Sequence, residues 1–253
     1  MSETLFIVGV ISLASFANNV ISVYGPEGKF DWLRSRCFCS KEVLTFPQLI
    51  PLFSFLFLKG KCGKCRESIP FRYFLVEFVI ISLGLLHMAK NMVNGAGILS
   101  FLLLCSFIVI MFTDYLFFII PNSVLIFMLA SGLYRSTQLS IPLFTGILSS
   151  LSAVLILTFL TYYFETRKQK QIIGYGDIKL IALLFILYPV WETAFGIWLS
   201  AALALMTFPL LKLFQKRFTN EHKIPFGFFL SLVFLVIEFF KLQYRIESFF
   251  SVL

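Results

Sequence analysis

Two aspartates in apolar surroundings are the residues of this sequence best suited to chemistry. Asp114 lies in the segment FTDYLFFIIPN and Asp177 in GYGDIKL. An ionisable side chain within or beside a membrane-spanning segment is costly, which makes it a candidate functional residue. If the two side chains meet, they could hydrolyse a peptide bond. An ionised carboxylate would take a proton from water, while its protonated partner would donate to the scissile carbonyl.

The residues around Asp177 predict a site that is open to an extended peptide. Gly174 and Gly176 precede it, and glycine permits positive φ and the close approach of a second backbone. Lys179 follows Asp177 by two positions, and residues two apart on a helix do not face each other. We therefore expect Lys179 to shape the edge of the site and to extend toward lipid headgroups rather than to pair with Asp177.

The segment after Asp114 predicts the start of another helix. Pro121 suits a helix start, and Asn122 is a plausible local hydrogen-bond donor. Two other readings of the aspartates remain open. They could be ordinary carboxylates at the membrane surface, or an ion or proton relay in a transporter. Their predicted place at one edge of the membrane, rather than at its centre, favours hydrolysis.

The composition predicts an all-α polytopic membrane protein. The chain has 253 residues, of which 59% are hydrophobic and 13% charged. A spanning helix needs about 20 apolar residues. About eight apolar segments are candidate spans, of which the sixth is the shortest: 5–23, 73–89, 97–113, 119–134, 141–164, 178–188, 192–211 and 224–240. The sixth and seventh could also form one long bent helix, but Pro189 favours two helices.

The distribution of lysine and arginine predicts the orientation. With the N-terminus outside, only four of the 21 basic residues fall in outer segments: Lys90, Arg135, Lys241 and Arg245. This asymmetry obeys the positive-inside rule and explains the net charge of +8 without a nucleic-acid partner. It places Asp114 and Asp177 on the cytoplasmic side of the bilayer.

Four cysteines in the first inner loop predict a zinc site. Cys37 and Cys39 form one close pair, and Cys62 and Cys65 form another. Structural disulfides are disfavoured in the cytoplasm, and four thiolates in two pairs suit tetrahedral zinc. Four reduced thiols without a metal are the alternative. We therefore divide the chain into a first helix (1–23), a cytoplasmic cysteine loop (24–72) and a membrane-embedded peptidase domain (73–253).

The order of several short motifs resembles that of type IV prepilin peptidases. The matching segments are Ala14-Ser15-Phe16-Ala17-Asn18, Ile50-Pro51, Leu58-Lys59-Gly60-Lys61-Cys62-Gly63-Lys64-Cys65, Ile69, Arg72-Tyr73, Glu77, Asp114, Ile120-Pro121-Asn122, Gly174-Tyr175-Gly176-Asp177-Ile178-Lys179, Ile224-Pro225-Phe226-Gly227 and Phe229-Leu230. The resemblance covers nearly the whole chain.

The resemblance implies an aspartyl peptidase of the bacterial inner membrane. Asp114 and Asp177 would be its catalytic pair. The enzyme would remove the leaders of prepilins and pseudopilins by cutting after a glycine, usually before phenylalanine, at the cytoplasmic face. It would then methylate the new amino terminus from S-adenosylmethionine. A peptidase without methyltransferase activity is the alternative within this class.

Overall fold

The computed structural model describes residues 3–25, 50–63, 65–90, 95–139, 143–168, 173–214 and 224–250. Within these ranges the chain is all-helical, apart from one isolated bridge between Lys61 and Ser68. The helices are α1 (Glu3–Val23), α2 (Phe53–Phe57), α3 (Phe71–Lys90), α4 (Gly95–Phe117), α5 (Asn122–Leu139), α6 (Leu143–Lys168), α7 (Tyr175–Leu187), α8 (Val190–Phe214) and α9 (Phe226–Phe250). The predicted all-α class is therefore confirmed for the part of the chain described.

Five of these helices are long and apolar enough to cross a membrane: α1, α3, α4, α6 and α8. The apolar parts of α5 and α9, Asn122–Tyr134 and Phe226–Phe240, are shorter. Helix α7 has only 13 residues. Each of the eight predicted segments overlaps one of the helices, but only five meet the length and composition of a full span among the residues described.

The predicted break before the seventh segment is present. Helix α7 ends at Leu187 and α8 begins at Val190, so that Tyr188 and Pro189 separate two helices. Tyr188 is extended, with φ −131° and ψ 153°. A residue before proline avoids the helical region for steric reasons, which explains why the chain does not form one long bent helix.

The chain divides into two compact units, Met1–Cys105 and Ser106–Leu253. In the first unit α1 lies along α3. The buried residues of α1 recur every three or four positions, as expected for one face of a helix: Phe6, Val10, Ala14, Ala17, Asn18 and Ile21. Gly84 allows the close approach of the two helices, since a Cβ at this position would lie 2.5 Å from a methyl of Val10.

A polar cluster joins three parts of the first unit. The buried Asn18 side chain donates to the Tyr73 carbonyl at 2.9 Å and to the Glu77 carboxylate at 3.2 Å. The other carboxylate oxygen of Glu77 accepts from the Leu52 N–H at 2.9 Å. Leu52 has a positive φ of 62° just before α2, so this bond holds a backbone conformation that leucine rarely adopts.

Helix α7 is the central helix of the second unit. It contacts α5, α6, α8 and α9, and its residues are buried on all sides: Ile178, Leu180, Ile181, Leu183, Leu184 and Leu187. A helix that is apolar all round belongs in an interior. Because Asp177 lies in the first turn of α7, it stands at one end of this central helix.

Candidate active site

Asp114 lies inside α4, within its last turn. The predicted segment ends at Thr113, one residue before Asp114, whereas the helix continues to Phe117. Phe118 then has a φ of 56°, and its N–H donates to the Asp114 carbonyl at 2.9 Å, which closes the helix end. Asp114 is buried, with 5% of its surface exposed.

The Asp114 carboxylate faces the beginning of α9. Its Oδ2 accepts a hydrogen bond of 2.8 Å from the backbone N–H of Phe228. The Gly227 amide also interacts with it. The first N–H groups of a helix have no partner within the helix and carry a partial positive charge, so they suit a carboxylate. Residues 114 positions apart in sequence thus meet through a backbone donor.

Asp177 occupies the third helical position of α7, after Gly174 as the N-cap. Its carboxylate interacts with the backbone amides of Gly174 and Gly227, and the charge of Asp114 acts on it. The two aspartates therefore lie close together within the second unit and share Gly227 as a neighbour. Because two neighbouring carboxylates resist double ionisation, this arrangement favours a pair that holds one proton.

The glycines beside Asp177 provide space rather than unusual backbone angles. Gly174 has φ −69° and ψ 138°, which any residue can adopt. Among the residues described, the only glycine with positive φ is Gly60, so the expected use of positive φ is not observed here. A Cβ at Gly174 would instead lie 3.1 Å from Asp177 Oδ2. At Gly176 it would lie 3.3 Å from Ile120 Cβ.

The Ile120 side chain lies between Gly176 of α7 and Gly227 of α9. A Cβ at Gly227 would approach Ile120 Cδ1 to 2.8 Å, and Asp114 Cγ and Oδ2 to 3.0 Å each. Three segments that are far apart in sequence therefore meet around one apolar side chain, and small residues let them do so.

Pro121, Asn122 and Lys179 lie at the edge of this cluster. Helix α5 begins at Asn122, directly after the buried Pro121, as expected of a helix start. Lys179 Nζ donates to Asn122 Oδ1 at 3.2 Å in an exposed position. Asn122 is thus an acceptor here, rather than the donor that the sequence suggested. This contact links the first turn of α5 to the second turn of α7.

Gly227 and Phe228 were not among the site residues predicted from the sequence. Their segment was recognised in the family pattern, but no role was given to it. The local signal was present, since Pro225 and Phe226 start a helix and leave the next N–H groups without intrahelical partners. The partner of those groups could not be found without the tertiary structure, because a backbone donor carries no side-chain signature.

The second cysteine pair lies on a tight turn in the first unit. The Cys62 N–H donates to the Glu67 carbonyl at 2.8 Å, and the Arg66 N–H returns to the Cys62 carbonyl at 2.9 Å. Cys62 and Cys65 carry thiols and are partly exposed. Such a Cys-x2-Cys turn suits half of a zinc site. Cys37 and Cys39 lie outside the described residues, and the residues described contain no group of three metal-ligating side chains.

Comparison with known proteins identifies the family. A profile described as "Bacterial Peptidase A24 N-terminal domain" matches residues 7–91, and one described as "Type IV leader peptidase family" matches residues 101–211. No solved structure matches the chain significantly.

Curated relatives that match the chain include three with the name "Prepilin leader peptidase/N-methyltransferase". The one from Bacillus subtilis (strain 168) is 32% identical over 197 residues, which cover 73% of this chain and 72% of the relative. The one from Aeromonas salmonicida (strain A449) is 29% identical over 201 residues, covering 79% and 68%. The one from Pectobacterium carotovorum subsp. carotovorum is 26% identical over 214 residues, covering 83% and 76%. These matches confirm the resemblance seen in the motifs, and the chain belongs to the type IV leader peptidase family of enzymes.

Proposed function

We propose that Asp114 and Asp177 are the hydrolytic pair of an intramembrane aspartyl endopeptidase that removes the leader of prepilins or pseudopilins. One observation carries this proposal. Both carboxylates interact with the backbone amide of Gly227, and the charge of one acts on the other. This mutual influence supports hydrolysis by two carboxylates, and the names of the relatives supply the class of substrate.

The reaction needs no covalent intermediate. The ionised carboxylate takes a proton from water, and the water oxygen bonds to the carbonyl carbon of the peptide. The protonated carboxyl group gives its proton to the carbonyl oxygen, which forms a gem-diol. The C–N bond then breaks as the leaving nitrogen receives the proton taken from water. The second carboxyl group regains its proton from a gem-diol hydroxyl, so the pair returns to its starting state.

The exposed side of the site supports an extended peptide as the substrate. Tyr175 is 59% exposed, Gly174 is exposed, and Asp177 is half-buried. Asp114 lies deeper. A peptide that lies across Gly174 would therefore reach Asp177 first. We propose a Gly-Phe bond as the site of cleavage, at the cytoplasmic end of a substrate that is itself inserted in the membrane.

Substitution of either aspartate tests the proposal. Asp114→Asn and Asp177→Asn should each lower kcat for leader removal by about 10³-fold or more, because each removes a proton acceptor or donor of the reaction. The assay is co-expression with a prepilin, followed by mass measurement of the product. Glu238→Gln is the matched control, since Glu238 is a buried carboxylate of the same unit outside the cluster. Substantial cleavage by either aspartate variant would refute the pair.

Methylation of the new amino terminus is the second proposed activity, and it derives from the names of the relatives. S-adenosylmethionine would supply the methyl group. The same mass measurement separates the alternatives: a product that has lost its leader but lacks the mass of one methyl group indicates a peptidase alone.

We also propose that Cys37, Cys39, Cys62 and Cys65 bind one zinc ion. The tight turn that presents Cys62 and Cys65 supports this site. Elemental analysis of protein purified without chelators should find zinc. Replacing Cys62 and Cys65 by serine should remove it. Cys105→Ser is the control, because Cys105 is buried within α4. Metal-free wild-type protein would refute the site.

The remaining proposals concern topology. We propose eight crossings of the bacterial inner membrane, with the N-terminus outside and the aspartates facing the cytoplasm. The asymmetry of basic residues supports this orientation. We further propose the division into a first helix (1–23), a cysteine loop (24–72) and a peptidase domain (73–253).

A further inference from the structure

The first turn of α9 provides a backbone donor to the aspartate pair. The Phe228 N–H lies 2.8 Å from Asp114 Oδ2. This N–H is one of the groups at a helix start that have no intrahelical partner. A hydrogen bond from a helix start stabilises a charged carboxylate more than a neutral one, since the partial charge there is positive. The structure therefore favours negative charge on Asp114.

Gly227 allows this approach because it has no side chain. A Cβ at position 227 would lie 3.0 Å from Cγ and from Oδ2 of Asp114, and 2.8 Å from Ile120 Cδ1. The contact with Ile120 is closer than real Cβ atoms show, so that side chain would have to move, and the two contacts with Asp114 would require a shift of a few tenths of an ångström. Asp114 sits on a packed helix and is 5% exposed, which leaves it little room to retreat. The first turn of α9 or the carboxylate would therefore shift slightly, which would change the hydrogen bond of 2.8 Å from the Phe228 N–H.

Asp177 has different surroundings. Its carboxylate interacts with the backbone amides of Gly174 and Gly227, but its Oδ1 is buried and has no hydrogen-bond partner among the residues described. A charged oxygen in that position would lack the donors that stabilise charge. A protonated carboxyl group has an O–H of its own, which can be directed toward the negative charge of Asp114. The proton of the pair thus belongs on Asp177.

We propose that the first turn of α9 is a third element of the active site: it holds Asp114 as the ionised carboxylate that activates water and leaves Asp177 as the protonated carboxyl group that polarises the scissile carbonyl. Gly227 is a positioning residue in this arrangement, because it is buried and acts through its contact with Asp114. The proposal rests on the function proposed above.

Gly227→Ala tests the positioning role. Its kcat for leader removal should fall about 100-fold, the loss typical of removing one preorganised donor, while KM for the prepilin stays unchanged. Gly196→Ala is the matched control. A Cβ there would lie 2.6 Å from the Phe234 ring, so it disturbs the packing of the same helix α9 without touching either aspartate. Its kcat, measured on folded protein, should stay within about 3-fold of the wild type, because the substitution changes no contact with the reacting groups.

The double variant Gly227→Ala with Ile120→Val separates positioning from simple crowding. Valine lacks the Cδ1 atom that lies 2.8 Å from the added Cβ, but the contact with Asp114 remains. The double variant should stay as slow as Gly227→Ala alone. Recovery of kcat would overturn the positioning role, as would wild-type kcat in the single variant. If both aspartate variants are inactive and Gly227→Ala is not, the hydrolytic pair stands and only this inference fails.

Infrared spectroscopy of enzyme with ¹³C-labelled aspartate tests the assignment of the proton. At neutral pH, the difference spectrum between wild type and Asp177→Asn should contain the band of a protonated carboxyl group. The difference between wild type and Asp114→Asn should contain the bands of an ionised carboxylate. The reverse pattern would overturn the assignment, and it needs no activity measurement.

Discussion

At the scale of single residues, the aspartates differ in depth and in partners. Asp114 is 5% exposed and accepts from a backbone N–H, whereas Asp177 is half-buried at the end of a helix. Because Asp114 is the more deeply buried, it is the more rigidly held of the two. The Asp177 side chain can therefore adjust more easily to small movements of a bound peptide.

The contact between Lys179 and Asn122 should matter little for chemistry. Lys179→Met should keep kcat within about 10-fold of the wild type and lower the free energy of unfolding by less than about 1 kcal/mol, because an exposed bond of 3.2 Å competes with water. A double-mutant cycle with Asn122→Ala measures the coupling between the two side chains. A coupling far above that value, or a kcat as low as that of Asp177→Asn, would contradict this expectation.

At the scale of helices, a buried hydrogen bond links the far end of α7 to α9. Tyr188 follows the last residue of α7, and its hydroxyl donates to Glu238 Oε2 at 2.8 Å. Tyr188 is 2% exposed and Glu238 is fully buried. The Phe234 ring also lies against Tyr188, with the ring centres 5.1 Å apart. Helix α9 thus meets both ends of α7, at Gly227 near Asp177 and at Glu238 near Tyr188.

Tyr188→Phe should lower the free energy of unfolding by about 1 kcal/mol, since it removes one buried hydrogen bond and keeps the ring. Unfolding in mixed detergent micelles measures this change. Tyr162→Phe is the control, because Tyr162 is 68% exposed, and its effect should be within a few tenths of a kcal/mol of zero. Equal losses in both variants would show that the bond to Glu238 adds nothing to stability.

At the scale of the whole molecule, hydropathy and proline explain how much of the fold could be predicted. Long apolar runs gave the order of the helices, and Pro189 located the break between α7 and α8. The extension of α4 past Asp114 was missed, because a charged residue in an apolar run looks like the end of a helix. The role of Gly227 was missed for another reason: its meeting with Asp114 depends on how α9 packs, which no local pattern contains.

Labelling with a membrane-impermeant maleimide should confirm the orientation of the chain. A variant that keeps Cys62 as its only cysteine should react in inverted inner-membrane vesicles and not in intact cells, because Cys62 belongs to the loop predicted to be cytoplasmic. Trp191→Cys in a cysteine-free chain is the opposite control. Trp191 is 71% exposed and lies in a predicted outer segment, so it should react in intact cells. A reversed pattern would invert the topology.

The hydrogen bond from Phe228 to Asp114 has a consequence for mutational surveys of this enzyme. An alanine scan replaces side chains and leaves every amide proton in place, so Phe228→Ala would keep the donor that lies 2.8 Å from the carboxylate. Any effect of that variant would report the loss of the ring, which packs against Tyr115, and not the loss of the hydrogen bond. Only proline lacks the proton, and the first turn of a helix is where proline is best tolerated. A scan that includes proline at position 228 would therefore detect this hydrogen bond, which an alanine scan cannot detect.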